Sequence, residues 1–426
     1  MSSMRNLAVA SLALLTSHAA AKSCRNITIP VTVSARTGIF NIDVPSTSLE
    51  ATTFAQNLTR QGGNFTDQAL SGYETTSGTY QISTQFCQPD QSNVTNPTLQ
   101  ILTHGIGFDK TYWDLSYNNF NYSYLNYAVD QYKYCTLSYD RLGIGNSSHG
   151  EPLNEIQSFL EVAALAEITN MFRAGTFPTV SHAFDKIVHV GHSFGSTQTY
   201  ALVDLYPNIS DGIVLTGFST NSTFVPFFGA GADFVLANKN QPFRLGNGTF
   251  PAPLQIDAMA ESLLVDYSLT DLVAGLTMTP PATPLDYADG YLTNSNINAN
   301  QYLFFLPGHF DQGILLAGEN TKQPVTVGEL LTLGSIPTTN NFAGPVLVIT
   351  GSNDLPYCGG DCFATGNPDV PSVPSTVAKS FPKVDPKDFT VYIQPQSGHG
   401  INAHYNATGA YGVIEGFLGS KGLASS

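Results

Sequence analysis

The stretch Lys186-Ile-Val-His-Val-Gly-His-Ser-Phe-Gly195 constrains the fold of this chain more than any other. It opens as an apolar run and closes in Gly191-His192-Ser193-Phe194-Gly195, the pattern G-x-S-x-G set between a predicted strand and a predicted helix. In that setting the pattern reads as a sharp strand-to-helix turn that lifts a serine hydroxyl out of a sheet. Such a turn leaves no room for side chains two residues to either side of the serine, and both positions are glycine. The following helix aims its free N–H groups at the same point, where negative charge would be held. Gly and Ser are common residues, so the weight of the pattern rests on what surrounds it.

What surrounds it alternates between strand and helix. Residues 27–44 and 78–89 read as strands, joined by a polar, Gly- and Thr-rich connection expected at the surface. Thr98 to Phe108 is an apolar strand running into His104-Gly105-Ile106-Gly107, with Trp113 soon after. Tyr134 to Tyr139 is another, ending in Asp140-Arg141. Across 152–174 the residues Ile156, Leu160, Ala163, Ile168 and Phe172 recur at helical spacing. A helix is expected over about 195–205 and a strand over 213–217. Alternation of this kind, with strands apolar throughout, implies an α/β fold: a mostly parallel sheet covered by helices on both faces. Functional residues in such sheets lie at the carboxyl ends of strands. His104, Asp140 and Ser193 all do.

The alternation breaks between 219 and 342, where aromatic clusters (Phe224, Phe227, Phe228), a helical segment over about 254–276 and Pro-rich turns replace it. This insertion reads as a mainly helical cap over the carboxyl ends. The core is then 22–218 with 343–426. The sheet resumes with Gly344 to Gly351, followed by Asp354; a last strand, Phe389 to Ile393, leads to Gly398-His399, and a helix closes the chain over about 407–419.

Composition narrows the setting. The chain has 426 residues, 42% hydrophobic and only 12% charged, enough for a large core. Its net charge of −15 disfavours nucleic acid and anionic membrane, both of which need a basic surface. Residues 1–21 read as a secretory signal peptide: Arg5, the apolar run Leu7 to Leu15, then Ala19-Ala20-Ala21. No later apolar run is long enough to span a bilayer. Sequons at Asn26, Asn57, Asn64, Asn93, Asn121, Asn146, Asn208, Asn221, Asn247 and Asn406 suit a secreted, extracellular glycoprotein. Of five cysteines, Cys358 and Cys362 share a Gly-rich loop and are expected to pair. Cys24 would then bridge to Cys87, and Cys135, in an apolar strand, would stay a buried free thiol. Cys358-x3-Cys362 has no second ligand pair nearby, so no metal is expected.

An ester or amide yields to a serine only when a histidine takes its proton and a carboxylate orients that histidine. The chain offers Ser193, Asp354 and His399 in that order, each after a sheet strand. These motifs resemble the α/β-hydrolase superfamily over nearly the whole chain outside the cap. The matching pieces are His104-Gly105 with Trp113, Asp140-x-x-Gly143-x-Gly145-x-Ser147, Gly191 to Gly195, Gly351-x-x-Asp354 and Gly398-His399. The resemblance implies Ser193 as nucleophile, His399 as base and then acid, and Asp354 as the orienting carboxylate. It implies an oxyanion hole from the N–H groups of Phe194 and Ile106. One departure is Ser196 where many members carry a second glycine. Members with Asp at the elbow are epoxide hydrolases and dehalogenases; Ser193 argues against both. Asp140 and Arg141 are expected to fix their own loop, His104 to bond loop backbone, and His192 to shape the turn.

The expected function is hydrolysis of a small or medium, largely apolar carboxylic ester or lactone, without metal or organic cofactor. One rival is a proline-type aminopeptidase, which would hold a substrate amine with cap carboxylates drawn from Glu261, Asp266, Asp271, Asp286, Asp289 and Asp311. The other is an inactive binding module on the same fold, against which stands the presence of all three chemical groups.

Overall fold

The computed structural model describes residues 22–90, 94–248 and 284–426. The segments expected to be a signal peptide (1–21) and a cap helix (254–276) lie outside the described residues, as does the sequon at Asn93.

Eight strands form one sheet in the order β1-β2-β4-β3-β5-β6-β10-β11. Its centre is β3 (Leu99–Thr103), β4 (Cys135–Tyr139), β5 (Ile187–His192), β6 (Gly212–Thr216), β10 (Val346–Gly351) and β11 (Phe389–Gln394), all parallel. Five of these six are buried at every position, which is why they read as unbroken apolar runs. Successive side chains go to opposite faces. On β3, Leu99 and Ile101 join the core under α2 (Ser158–Ala174), while Leu102 joins the core under α4 (Ala407–Ser420). On β10, Leu347 and Ile349 take this second face and Val346 and Val348 the first.

At one edge stand β1 (Lys22–Phe40) and β2 (Leu70–Pro89), an antiparallel pair three to four times the length of their neighbours. Their register puts Cys24 opposite Cys87, and the two form a disulfide; Cys358 and Cys362 form a second, and Cys135 is free and buried.

The connection between β1 and β2 differs from its sequence expectation. It carries the helix α1 (Ser48–Thr59), whose Ala51, Phe54 and Ala55 are buried. They share a core with Phe228, Leu292, Leu303 and Phe304 from the region after β6, and with Ile106 and Phe194 beside the elbow. The layer over the strand ends is therefore built from two separate stretches of chain. It includes a small antiparallel sheet of β7 (Val235–Leu236), β8 (Tyr291–Thr293) and β9 (Val325–Thr326). The helix expected from 152 starts at Ser158. The Gln157 side chain instead makes a two-way bond with the Gly38 backbone at 2.8 Å each way, fixing the chain to β1 before the first turn.

One buried acid is outside any site. Glu415 of α4 is 1% exposed and accepts from Gln100 Nε2 at 3.0 and 3.3 Å. Burial pushes its carboxyl up to about 8, with bonds from Tyr124 and Gln100 opposing. Between the free value of 4.5 and about 8 the folded chain keeps this proton and the unfolded chain has lost it. Stability from this group is thus full in acid and is lost as pH rises through the window, by roughly 1.4 kcal/mol per pH unit. Glu415→Gln cannot ionise, so urea melts at pH 5 and pH 8 should show the variant gaining on wild type at the higher pH. An equal pH slope in both proteins would contradict this.

Candidate active site

The elbow is sharp in the structure. β5 ends at His192, α3 (Phe194–Leu205) begins one residue later, and Ser193 between them has φ 53°, ψ −117°. A left-handed φ at a non-glycine residue is strained and persists only where neighbours over-determine it. Here the Ser193 N–H donates to Thr216 O on β6 at 2.9 Å, and the Ser196 hydroxyl donates to the same carbonyl at 2.8 Å. The Cβ of any larger residue at Gly195 would sit 2.2 Å from Thr103 O, so the helix can approach β3 only with glycine there.

Three side chains from three strand ends converge. Ser193 Oγ lies 2.8 Å from His399 Nε2, and His399 Nδ1 lies 2.7 Å from Asp354 Oδ2. Asp354 and His399 are buried; Ser193 keeps 8% of its surface open. Both carboxylate oxygens of Asp354 are used. Oδ1 accepts the Tyr357 N–H at 2.9 Å, and Oδ2 also accepts the Thr350 hydroxyl at 2.5 Å. A chain of this geometry can draw a proton from the serine hydroxyl to the imidazole and stabilise the resulting cation.

The loop after β3 closes against the same serine: a Cβ on Gly105 would lie 2.8 Å from Ser193 Cβ. Phe194 is the first residue of its helix, and its N–H has no partner among the described residues; neither has that of Ile106. His104 holds this loop, its Nε2 accepting the Arg141 N–H at 3.1 Å, which leaves Nδ1 as the protonated nitrogen facing Gly105 O. His192 stacks on Tyr112 at 4.3 Å between ring centroids and stands 5.0 Å from His399. Burial, then the nearby His399 and His104, hold His192 well below the usual imidazole range, so it stays neutral beside the reacting group.

His404 does not compete with His399. Its Nε2 accepts the N–H groups of Gly398 and Leu306 at 3.0 and 2.9 Å, and Nδ1–H donates to Gly400 O at 3.0 Å. Burial lowers it to about 4, so it remains a neutral tie between the His399 loop and the overlying layer.

Asp140 does fix its own loop, accepting from Lys110 and the Asn146 N–H. Arg141 reaches further than its loop. Its Nη1 contacts Glu161 Oε2 at 2.6 Å and Glu329 Oε1 at 2.5 Å, all three side chains buried, and its guanidinium lies 4.8 Å from the Phe194 ring centroid.

A narrow internal space of about 10 Å³, room for about one water, lies beyond the Ile106 loop. It is lined by Ile106, Phe228, Leu292, Leu303, Phe304 and Val325, with Thr293, Asn294 and Gln323 as its polar members. Phe304 bounds both this space and the site, its ring stacked 6.0 Å from that of His399. Sequence reading passed over Thr350, Tyr357 and Phe304. Thr350 and Tyr357 flank Asp354 closely enough for a strand-end and helix-cap pattern to have flagged them; nothing local marks Phe304.

Of the six carboxylates weighed as amine holders, Glu261, Asp266 and Asp271 lie outside the described residues, and Asp286 stands in the loop before β8, its N–H donating to Gly246 O at 3.0 Å. Asp289 accepts from Asn238, and Asp311 caps a helix by accepting the Gly313 N–H. No group of three or more potential metal ligands occurs among the described residues, and no described helix is long and apolar enough to cross a membrane.

A sequence model of the alpha/beta hydrolase family matches residues 100–405. No curated protein matches the sequence. Among solved structures, a thermophilic esterase from Thermogutta terrifontis is similar at 12% identity, with 80% of this chain and 94% of that chain covered and a TM-score of 0.45. An alpha/beta hydrolase fold protein from Chitinophaga pinensis is similar at 14% identity, with 80% and 94% covered and a TM-score of 0.43. An epoxide hydrolase from Vigna radiata is similar at 15% identity, with 80% and 95% covered and a TM-score of 0.43.

Proposed function

The chain belongs to the alpha/beta hydrolase family, and from that premise we propose that it is a serine hydrolase of small or medium carboxylic esters. The observation that carries this reading is the continuous contact from Ser193 Oγ through His399 to Asp354, at 2.8 and 2.7 Å. Ser193 Oγ attacks the ester carbonyl as His399 Nε2 takes its proton. Asp354 fixes the Nδ1–H tautomer and stabilises the imidazolium. The oxyanion is met by the N–H groups of Phe194 and Ile106; removing one such donor typically raises a barrier by about 3 kcal/mol. The tetrahedral adduct collapses, His399 returns the proton to the departing alcohol, and an acyl group remains on Ser193. Water, deprotonated by His399, then releases the acid.

The residues packed beside the Ile106 loop favour ester over amine-bearing peptide: those described are largely aromatic and aliphatic and include no carboxylate to receive an ammonium group. Residues 219–342 act as the cap, and its described part supplies that lining together with Ile106 and Gly107. The leader-like N-terminus, the sequons and the two disulfides favour secretion with glycosylation. A glycan at Asn406 is disfavoured, because its carboxamide is already bonded to Pro395 and Ser397.

Purified protein should hydrolyse p-nitrophenyl butyrate and leave a prolyl naphthylamide intact. Turnover of the amide with none of the ester would replace this reading with the peptidase one.

A further inference from the structure

Asp354 does not stand on a strand or on a helix of ordinary length. It caps a single helical turn, Leu355–Cys358, and a helix that short has no stability of its own in water. The position of the carboxylate nonetheless depends on that turn, because the Tyr357 N–H grips Oδ1 while Oδ2 meets His399. The return path runs through Gly359 and Gly360, both at positive φ, whose N–H groups donate to Leu355 O and Asp354 O at 2.8 and 3.0 Å and so fold the chain back over the turn. A covalent closure is added to these bonds. Cys358, the last residue of the turn, is bonded to Cys362. Cys362 is itself anchored to the end of β10: its N–H donates to Ser352 O at 2.9 Å, and its sulfur lies 3.2 Å from Gly351 O. Both cysteines are buried, packed against Val373 and Ile393.

We propose that the Cys358–Cys362 disulfide is a positioning element for the catalytic acid, clamping the Asp354 turn to the strand it springs from. This rests on the reading of Asp354 as the orienting carboxylate. The two disulfides then have different tasks. Cys24–Cys87 closes a separation of 63 residues, where a cross-link constrains the unfolded chain strongly; Cys358–Cys362 closes a separation of 4, where it constrains it least. The short bridge acts on local geometry. It also fixes Tyr357, whose ring centroid is 5.8 Å from that of His399.

The test is a double-mutant cycle on the full chain. Cys358→Ala/Cys362→Ala should lower kcat about 10- to 100-fold, as a small misplacement of a catalytic group does, with KM unchanged within about twofold. A less firmly held carboxylate stabilises the imidazolium less, so the acid limb of the pH–rate profile should move to lower pH. Asp354→Asn should cost less in the cysteine-free background than in wild type, since part of its contribution is already gone. A second variant with one glycine inserted after Gly360 keeps the bridge but slackens the ring, and should shift kcat and the acid limb in the same directions. Unchanged kcat in both variants, or an Asp354→Asn cost equal in the two backgrounds, would overturn the proposal. If Asp354→Asn in wild type is itself near-normal, it is the assignment of the acid that fails.

Discussion

Asp354→Asn is expected to lower ester turnover about 10⁴-fold while leaving the fold intact. In wild type, Oδ1 accepts the Tyr357 N–H and Oδ2 accepts from both Thr350 and His399 Nδ1. An asparagine keeps the first bond if its carbonyl takes the Oδ1 place. Its NH₂ then stands where Oδ2 was and donates to His399 Nδ1. The imidazole proton is driven to Nε2, facing Ser193, and that nitrogen can no longer accept the serine proton. Thr350 can rotate to receive the second amide hydrogen, which leaves only its own hydroxyl hydrogen without the acceptor it had in wild type, so the melting temperature should fall modestly while the fold survives. Steady-state kinetics beside thermal melts check both halves. Near-normal kcat would place the orienting carboxylate elsewhere.

The second large effect is on stability. Arg141→Met should destabilise the protein by about 3–5 kcal/mol, the usual consequence of removing one member of a buried ionic cluster. Arg141 Nη1 is the cation for both Glu161 and Glu329, which come from α2 and from the helix Val327–Thr332 of the overlying layer. Burial, with Glu329 nearby, already holds the Glu161 carboxyl well above the usual range against the opposing pull of Arg141. Without the guanidinium the Glu161 carboxyl is held still more firmly in its protonated form, while the unfolded chain ionises it at the ordinary pH, so the destabilisation should grow as pH rises. Adding Glu161→Gln and Glu329→Gln removes the stranded charges and should restore most of the loss. Urea denaturation at pH 5 and pH 8 reads this directly, and a variant as stable as wild type at both would contradict the cluster's role. Because the guanidinium also lies against Phe194, the variant that folds should turn over more slowly.

The core of the fold was legible because its strands are buried on both faces and leave unbroken apolar runs. Ser193 was legible because an elbow needs glycine at fixed spacing, Asp354 because it follows such a run, and His399 because it follows the last strand, Phe389–Gln394, which is half-buried but rich in β-branched and aromatic residues. The part of α1 in covering the site was not. Its buried face is Ala51, Phe54 and Ala55 among Ser, Thr and Asn, too few large apolar residues to produce a periodic signal. Its start did carry one: Thr47 and Glu50 have capping spacing, and the Thr47 hydroxyl accepts the Glu50 N–H at 3.2 Å. The reach of Arg141 was hidden for a different reason. Glu161 is 20 residues away and Glu329 is 188, and only the fold brings them together. Phe304 acquires its place beside His399 in the same way, through tertiary packing that no local pattern encodes.

The account stands or falls on Ser193 as the nucleophile. A fluorophosphonate probe transfers its phosphonyl group to an activated serine oxygen, with fluoride leaving, and the adduct can be located by peptide mass. Wild type should label at Ser193 and lose ester hydrolysis in step with labelling, while Ser193→Ala should neither label nor hydrolyse. A wild type that does not react, or an alanine variant that labels equally, would contradict it.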